Sequence, residues 1–223
     1  MLQSSTLKFL KDLKKHNDKA WFEANRARYD DARADFHNFV QHLINGISAV
    51  DESIAAANLQ VKNCTFRINR DVRFSKDKSP YKTNLACAIS SNGKDMSENA
   101  GFYFHVEPGA SFAAGGLYMP MSSTLARIRK DISDNFDEWQ DIVESRAFRK
   151  NFPNGMRDEN ALSRPPKGYT GDNPAIAYLK MKSFIAETAF TDEDLQAKTL
   201  VKQAVKAFQA MKPLIDFLNY KPD

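Results

Sequence analysis

A chain of 223 residues with 42% apolar and 11% aromatic side chains carries enough hydrophobic surface to close a core without a metal or a disulfide, which excludes wholesale disorder. Nine glycines and nine prolines are too few for a collagen-like or linker-rich protein, or for a sandwich with a turn every ~10 residues. The net charge of +4 is local, because residues 62–82 hold seven basic side chains against two acidic ones and the rest of the chain is slightly acidic.

These bounds predict one domain over residues 1–223: a helical part at 1–52, a sheet at 61–119, and a second helical part at 120–223 with a long loop near 151–174. No apolar run approaches the ~18 residues of a membrane span. Lysines interrupt the apolar residues of MLQSSTLKFLKDLKK, which therefore lacks the apolar stretch of a signal peptide. The expectation is a cytoplasmic protein with no membrane contact. Cys64 and Cys87, with no C-x-x-C and no histidine at zinc-ligand spacing, are expected to be buried free thiols on strands.

In chain order, Leu7, Leu10 and Leu13 share one face of a first helix, with Ser4 or Ser5 as its cap. Asn17 is a second cap candidate. Beyond it, Trp21, Phe22, Tyr29, Phe36, Phe39 and Leu43 recur at helical steps, and no proline interrupts residues 18–50, so one long helix is expected. The period then changes to two. Thr65–Phe74 alternates and reads as a strand; so do Leu85–Ser90, Gly101–Glu107 and the glycine-interrupted Ser111–Met119. Short turns between them (Ser91-Asn92-Gly93-Lys94 and Glu107-Pro108-Gly109) favour antiparallel neighbours. After Ser122 or Ser123, helical spacing returns. Thr191 with Asp194 marks a capping box, and Pro213 is expected to kink or split the last helix. The fold class predicted is α+β, a central, mainly antiparallel sheet flanked by N-terminal and C-terminal helices. Its apolar face would take Phe66, Ile68, Phe102, Phe104 and Val106.

Several catalytic signatures fail. Gly109-Ala110-Ser111-Phe112-Ala113 lacks the last glycine of a nucleophile elbow, Gly115-Gly116 opens no P-loop, and His105-Val106-Glu107 has no P-C-x-x-C to make a zinc deaminase. One constellation remains. Tyr103, His105 and Glu107 project from one side of a strand, and Arg67 and Arg73 occupy the polar parity of another. Together they would bind phosphate through guanidinium groups, with His105 and Glu107 as an acid–base pair. The competing interpretation is a charge network satisfied beneath a covering helix.

The blocks Leu13–Phe22, Phe66–Asn84 (with R-D-x-R-F-S-K-D-K-x-P-Y-K), Gly101–Pro108 and Gly115-Gly116 before Met119-Pro120 resemble those of the family called domain of unknown function 2461. The resemblance runs over nearly the whole chain, with Asn69 a minor departure. It implies a single-domain bacterial cytoplasmic protein and no particular activity.

The leading expectation is a binding domain for a phosphate-bearing or acidic ligand, centred on Arg67, Arg70, Arg73, Lys78 and Lys82, with Tyr81 stacking on a base or sugar and Tyr103 nearby. Either a small molecule or a nucleic acid would suit such a segment. The alternatives are a hydrolase or transferase acting on a phosphorylated substrate, and a protein-interaction module built on the long helix. The sequence specifies no cofactor, no metal site and no oligomeric state. Ser75–Asn84, with Pro80 lacking an N–H, is predicted to be an ordered loop that brings Lys78, Tyr81 and Lys82 beside Arg67 and Arg73.

Overall fold

The computed structural model describes residues 1–157 and 159–221. The N-terminal helices are α1 (Ser4–Lys15), α2 (Lys19–Ala24), α3 (Arg26–Ser48), α4 (Glu52–Ala56) and α5 (Val61–Cys64). Then come strands β1 (Leu85–Ile89), β2 (Gly101–Val106) and β3 (Ser111–Leu117). Helices α6 (Ser122–Asp134), α7 (Phe136–Glu144), α8 (Arg146–Asn151) and α9 (Ile176–Leu179) lead to β4 (Phe184–Phe190), followed by α10 (Asp192–Gln196) and α11 (Leu200–Asn219). The fold is α+β, and all three strand pairings are antiparallel, in the order β1-β2-β3-β4.

Two sequence expectations are corrected in the sheet. Thr65–Phe74 is not a strand: it makes only single bridges, Thr65 with Cys87 and Asn69 with Tyr81, and then leaves the sheet. Cys64 accordingly ends α5, although it and Cys87 are both buried free thiols as expected. The fourth strand is β4, from a region that reads as helical. Its alternation is muted because Ile185 sits on the face opposite Phe184, Ala186, Thr188 and Phe190.

The helices also differ in detail from their sequence patterns. The expected long helix is two, because the chain breaks at Asn25, and Asp18 rather than Asn17 caps α2 by accepting from the Trp21 N–H. Asn17 instead donates through Nδ2 to the Tyr81 carbonyl (2.9 Å) and accepts the Tyr81 N–H (3.1 Å), acting as one rung of a ladder. Ser4 and Ser122 lie inside their helices rather than capping them. The Thr191–Asp194 capping box is present, and α11 runs through Pro213 without splitting.

The core lies between the helices and one sheet face. Phe102, Phe104 and Val106 of β2 point inward, where Phe104 meets Phe39 of α3 with ring centroids 4.9 Å apart and Phe102 meets Phe208 of α11 at 5.1 Å. Gly115 admits α11, since a Cβ there would stand 2.2 Å from the Met211 sulfur. A second aromatic cluster centres on Trp139 of α7, which packs edge-on against Phe184 and Phe217. Ile68 is buried, but Phe66, expected on this inner face, turns to the other side and packs against Tyr103 with centroids 6.2 Å apart.

Candidate functional site

The pleat and register determine what the outer sheet face presents. Alternation places Ala86 and Ala88 of β1, Tyr103 and His105 of β2, Phe112 and Ala114 of β3, and Ile185 of β4 on the same side, away from the helices. Small side chains at Ala88 and Ala114 flank Tyr103 directly across the ladder, so the face is hollowed rather than flat. The result is a groove of about 730 Å³. Phe66, Lys94 and Met96 wall it on the β1 side, Tyr118, Met119 and Arg157 on the β4 side, and Tyr103, Phe112, Ala88 and Ala114 form its floor. Met119 holds a left-handed backbone (φ 46°), rare for a side chain of this kind, with its N–H donating to Ser183 Oγ at 2.9 Å. Phe66 (37% exposed), Tyr118 and Met119 are exposed apolar side chains clustered on one concavity, which is how ligand grooves differ from scattered surface hydrophobics.

A hydrogen-bond chain runs along β2 from this groove. The Tyr103 hydroxyl lies 3.1 Å from His105 Nδ1, and His105 Nε2 lies 3.3 Å from Glu107 Oε2. Glu107 Oε1 accepts from the Thr83 hydroxyl (2.9 Å) and from the Lys14 ammonium (3.4 Å). Phe112 stacks on the imidazole with centroids 4.8 Å apart, leaving the His105 side chain 13% exposed. Burial holds His105 below the ordinary histidine pKa and outweighs the pull of Glu107. Burial pushes the Glu107 carboxyl upward, but Thr83, His105 and Lys14 together outweigh it and keep the group below its usual range. Tyr103 is pushed up to about 12, by burial first and by Cys87 second. The three groups sit together as their spacing implied, and no helix among the described residues lines the groove that holds Tyr103.

The basic segment is arranged differently from its sequence reading. Arg70 is the hub of its own loop: its guanidinium pairs with Asp77 and donates to Ser79 Oγ at 2.7 Å. Arg73 pairs with Asp71 at 2.7 Å and is 75% exposed, and Lys78 donates to the Val72 carbonyl at 2.9 Å. Ser75–Asn84 is thus ordered, but mostly by its own charges. Tyr81, expected to stack on a ligand, is buried and stacks on Phe22 at 3.9 Å instead. Its flat apolar ring fills a gap between α2 and the loop that Asn17 clamps. Arg67 and Lys82 are the exceptions. Neither side chain makes an ion pair or hydrogen bond among the described residues. The half-buried Lys82 ammonium sits 5.4 Å over the Phe66 ring, held below its ordinary pKa by burial and by the Arg67 charge.

Of the residues singled out from sequence, Tyr103 lines the groove, and His105 and Glu107 follow it along β2. Lys82 meets the groove-wall Phe66 ring while lining a separate polar cleft, and Arg67 lies near enough to Lys82 for its charge to be felt there. Arg70, Arg73, Lys78 and Tyr81 have structural partners elsewhere. Phe112 stands out in no sequence pattern; the β2–β3 register places it across from His105. Thr83 and Lys14 reach Glu107 only through tertiary packing, for which no local signal exists. No group of three or more potential metal ligands occurs among the described residues. No helix among them is long and apolar enough to cross a membrane.

Compared with known proteins, residues 5–217 match the model of the family described as Conserved hypothetical protein (DUF2461). No curated protein and no solved structure matches the chain.

Proposed function

The chain belongs to this family of conserved hypothetical proteins, and from its open sheet face we propose that it is a binding domain for a small molecule with a planar apolar body and a phosphate or other acidic group. The observation that carries the reading is the groove of about 730 Å³, a volume in the range of small-molecule sites, floored and walled by aromatic and methionine side chains. Lys82 and Arg67 support the acidic group. Neither makes an ion pair among the described residues, although the Asp71 carboxylate feels the Arg67 charge, and the half-buried Lys82 ammonium over the groove-wall Phe66 ring is a desolvated cation that a bound anion would stabilise. The slightly acidic remainder of the chain and the self-neutralised Arg70 and Arg73 argue against a long polyanion track, so a small ligand is favoured over nucleic acid.

The test is thermal denaturation with phenyl phosphate, a mononucleotide and inorganic phosphate. The aryl and nucleotide ligands are expected to raise the melting temperature and inorganic phosphate to do little. Ala114→Phe, which fills the groove floor, should abolish the shift, whereas Phe74→Ala on the distant loop should preserve it. If no aromatic anion shifts the melt at millimolar concentration, the reading is wrong.

A further inference from the structure

The Tyr103–His105–Glu107 chain has a direction. Glu107 faces three donors, the Thr83 hydroxyl, the Lys14 ammonium and His105 Nε2, and an ionised carboxylate only accepts. Nε2 therefore carries the hydrogen of the neutral ring, which leaves Nδ1 a bare acceptor. The Tyr103 hydroxyl then gives its only hydrogen to Nδ1, and its oxygen keeps lone pairs for whatever lies in the groove. Of the three, only Tyr103 lines the groove; His105 is screened by the stacked Phe112 ring.

We propose that Tyr103 is the general base of a catalytic site in this groove, passing the proton it takes to His105 against the Glu107 carboxylate. The proposal rests on the groove being a ligand site. In the step, the substrate's O–H bond, or a C–H bond beside a carbonyl, breaks and leaves its electron pair on the substrate. The proton bonds to the Tyr103 oxygen while the tyrosine's own proton moves to His105 Nδ1. The products are a substrate anion, a neutral tyrosine and an imidazolium hydrogen-bonded to Glu107; charge and atoms balance without a further reactant. Burial by itself disfavours the imidazolium; the Glu107 carboxylate behind the ring offsets part of that cost, and the substrate anion that forms at Tyr103 supplies the remainder. Thr83 and Lys14, which hold Glu107, also line, with Lys82, a separate polar cleft of about 420 Å³ open to solvent, so the Glu107 end of the chain borders water. The substrate class is a planar, apolar-bodied molecule with one weakly acidic proton placed at Tyr103. His105 and Glu107, which act through Tyr103, are positioning residues.

The probe is 4-nitrophenol, whose visible absorption distinguishes phenol from phenolate, used at a pH below its own pKa, with binding measured separately by equilibrium dialysis. The wild-type protein is expected to bind it largely as phenolate, and the His105 ring signals in the proton NMR spectrum should move to imidazolium positions as the probe binds. Glu107→Gln should lower the ratio of bound phenolate to phenol by about tenfold, one pKa unit. Tyr103→Phe and His105→Gln should still bind the probe, but as neutral phenol. Binding as neutral phenol by the wild type, or an unchanged phenolate fraction in the variants, would overturn the relay and leave the groove reading intact. Failure of 4-nitrophenol and the aryl anions alike to bind would remove the groove reading, and the relay with it. Should Tyr103→Phe fail to fold, the wild-type NMR shift and Glu107→Gln still decide.

Discussion

Two asparagine side chains stand in for backbone ladders. Asn17 pairs with both polar groups of Tyr81, and Asn219 with the N–H (2.7 Å) and carbonyl (3.1 Å) of Ala100. Each truncation to alanine leaves two backbone groups without partners, so Asn17→Ala and Asn219→Ala should each cost about 1–3 kcal/mol in urea unfolding. Phe74 is 95% exposed, and Phe74→Ser should stay within about 0.5 kcal/mol of wild type. The thiols give a chemical check. Burial pushes Cys64 up to about 11 and Cys87 higher still, so neither is a thiolate at neutral pH. A thiol-reactive dye should label the native protein hardly at all and the unfolded protein at both positions. His37 and His105 set a pH dependence, since burial, the principal cause in each case, lowers both pKa values. Below about pH 6.5 the unfolded chain binds protons at these rings while the native state does not. Stability should therefore fall with pH from that point and level off below the native pKa values. Melting curves of wild type against a His37→Gln, His105→Gln double variant check this, and the slope should flatten in the variant.

At the scale of elements, the β3–β4 pairing depends on a close backbone approach at Gly116. Its φ is +125°, and a Cβ there would stand 1.8 Å from the Phe184 carbonyl oxygen. Gly116→Ala is expected to cost about 2–4 kcal/mol, whereas Gly171→Ala, which meets nothing within 4 Å, should be neutral. Urea denaturation of the two variants separates them, and a neutral Gly116→Ala would mean that the two strands can part without loss. The loop after Asn69 illustrates a different principle. Its charges look like a ligand patch in sequence, but Arg70 is spent on Asp77 and Ser79, so the loop holds itself in shape. Arg70→Ala should expose Arg73, Lys76 and Lys78 to trypsin at enzyme levels that leave the wild type intact, with little change in the melting temperature. Equal resistance in both would mean that the hub does not order the loop.

For the whole molecule, a layer of helices covers one sheet face and leaves the other to a groove, beside which Lys82, over the Phe66 ring, and Arg67 make no ion pair among the described residues. Binding by these two cations should weaken by less than about tenfold between ~50 and ~200 mM salt, whereas a polyanion track loses several orders of magnitude. Titration of phenyl phosphate at the two salt concentrations tests this, and a steep loss would point to nucleic acid. How much of this was legible beforehand depends on the range over which each feature is determined. Strands β1 to β3, the capping box at Thr191 and the inward set Phe102, Phe104 and Val106 follow from local periodicity and side-chain chemistry, and the chain alone determines them. So does the alignment of Tyr103, His105 and Glu107, because a pleat repeats every two residues. Partner choice is not local. Whether a given arginine faces a ligand or a neighbouring aspartate, whether Phe66 turns inward or outward, and whether Tyr81 meets solvent or Phe22 depend on which segments pack together. The same holds for β4, whose weak alternation becomes a strand only when β3 supplies its hydrogen bonds. The tertiary structure decided these, because burial and pairing energies outweigh the small local preferences written in the sequence.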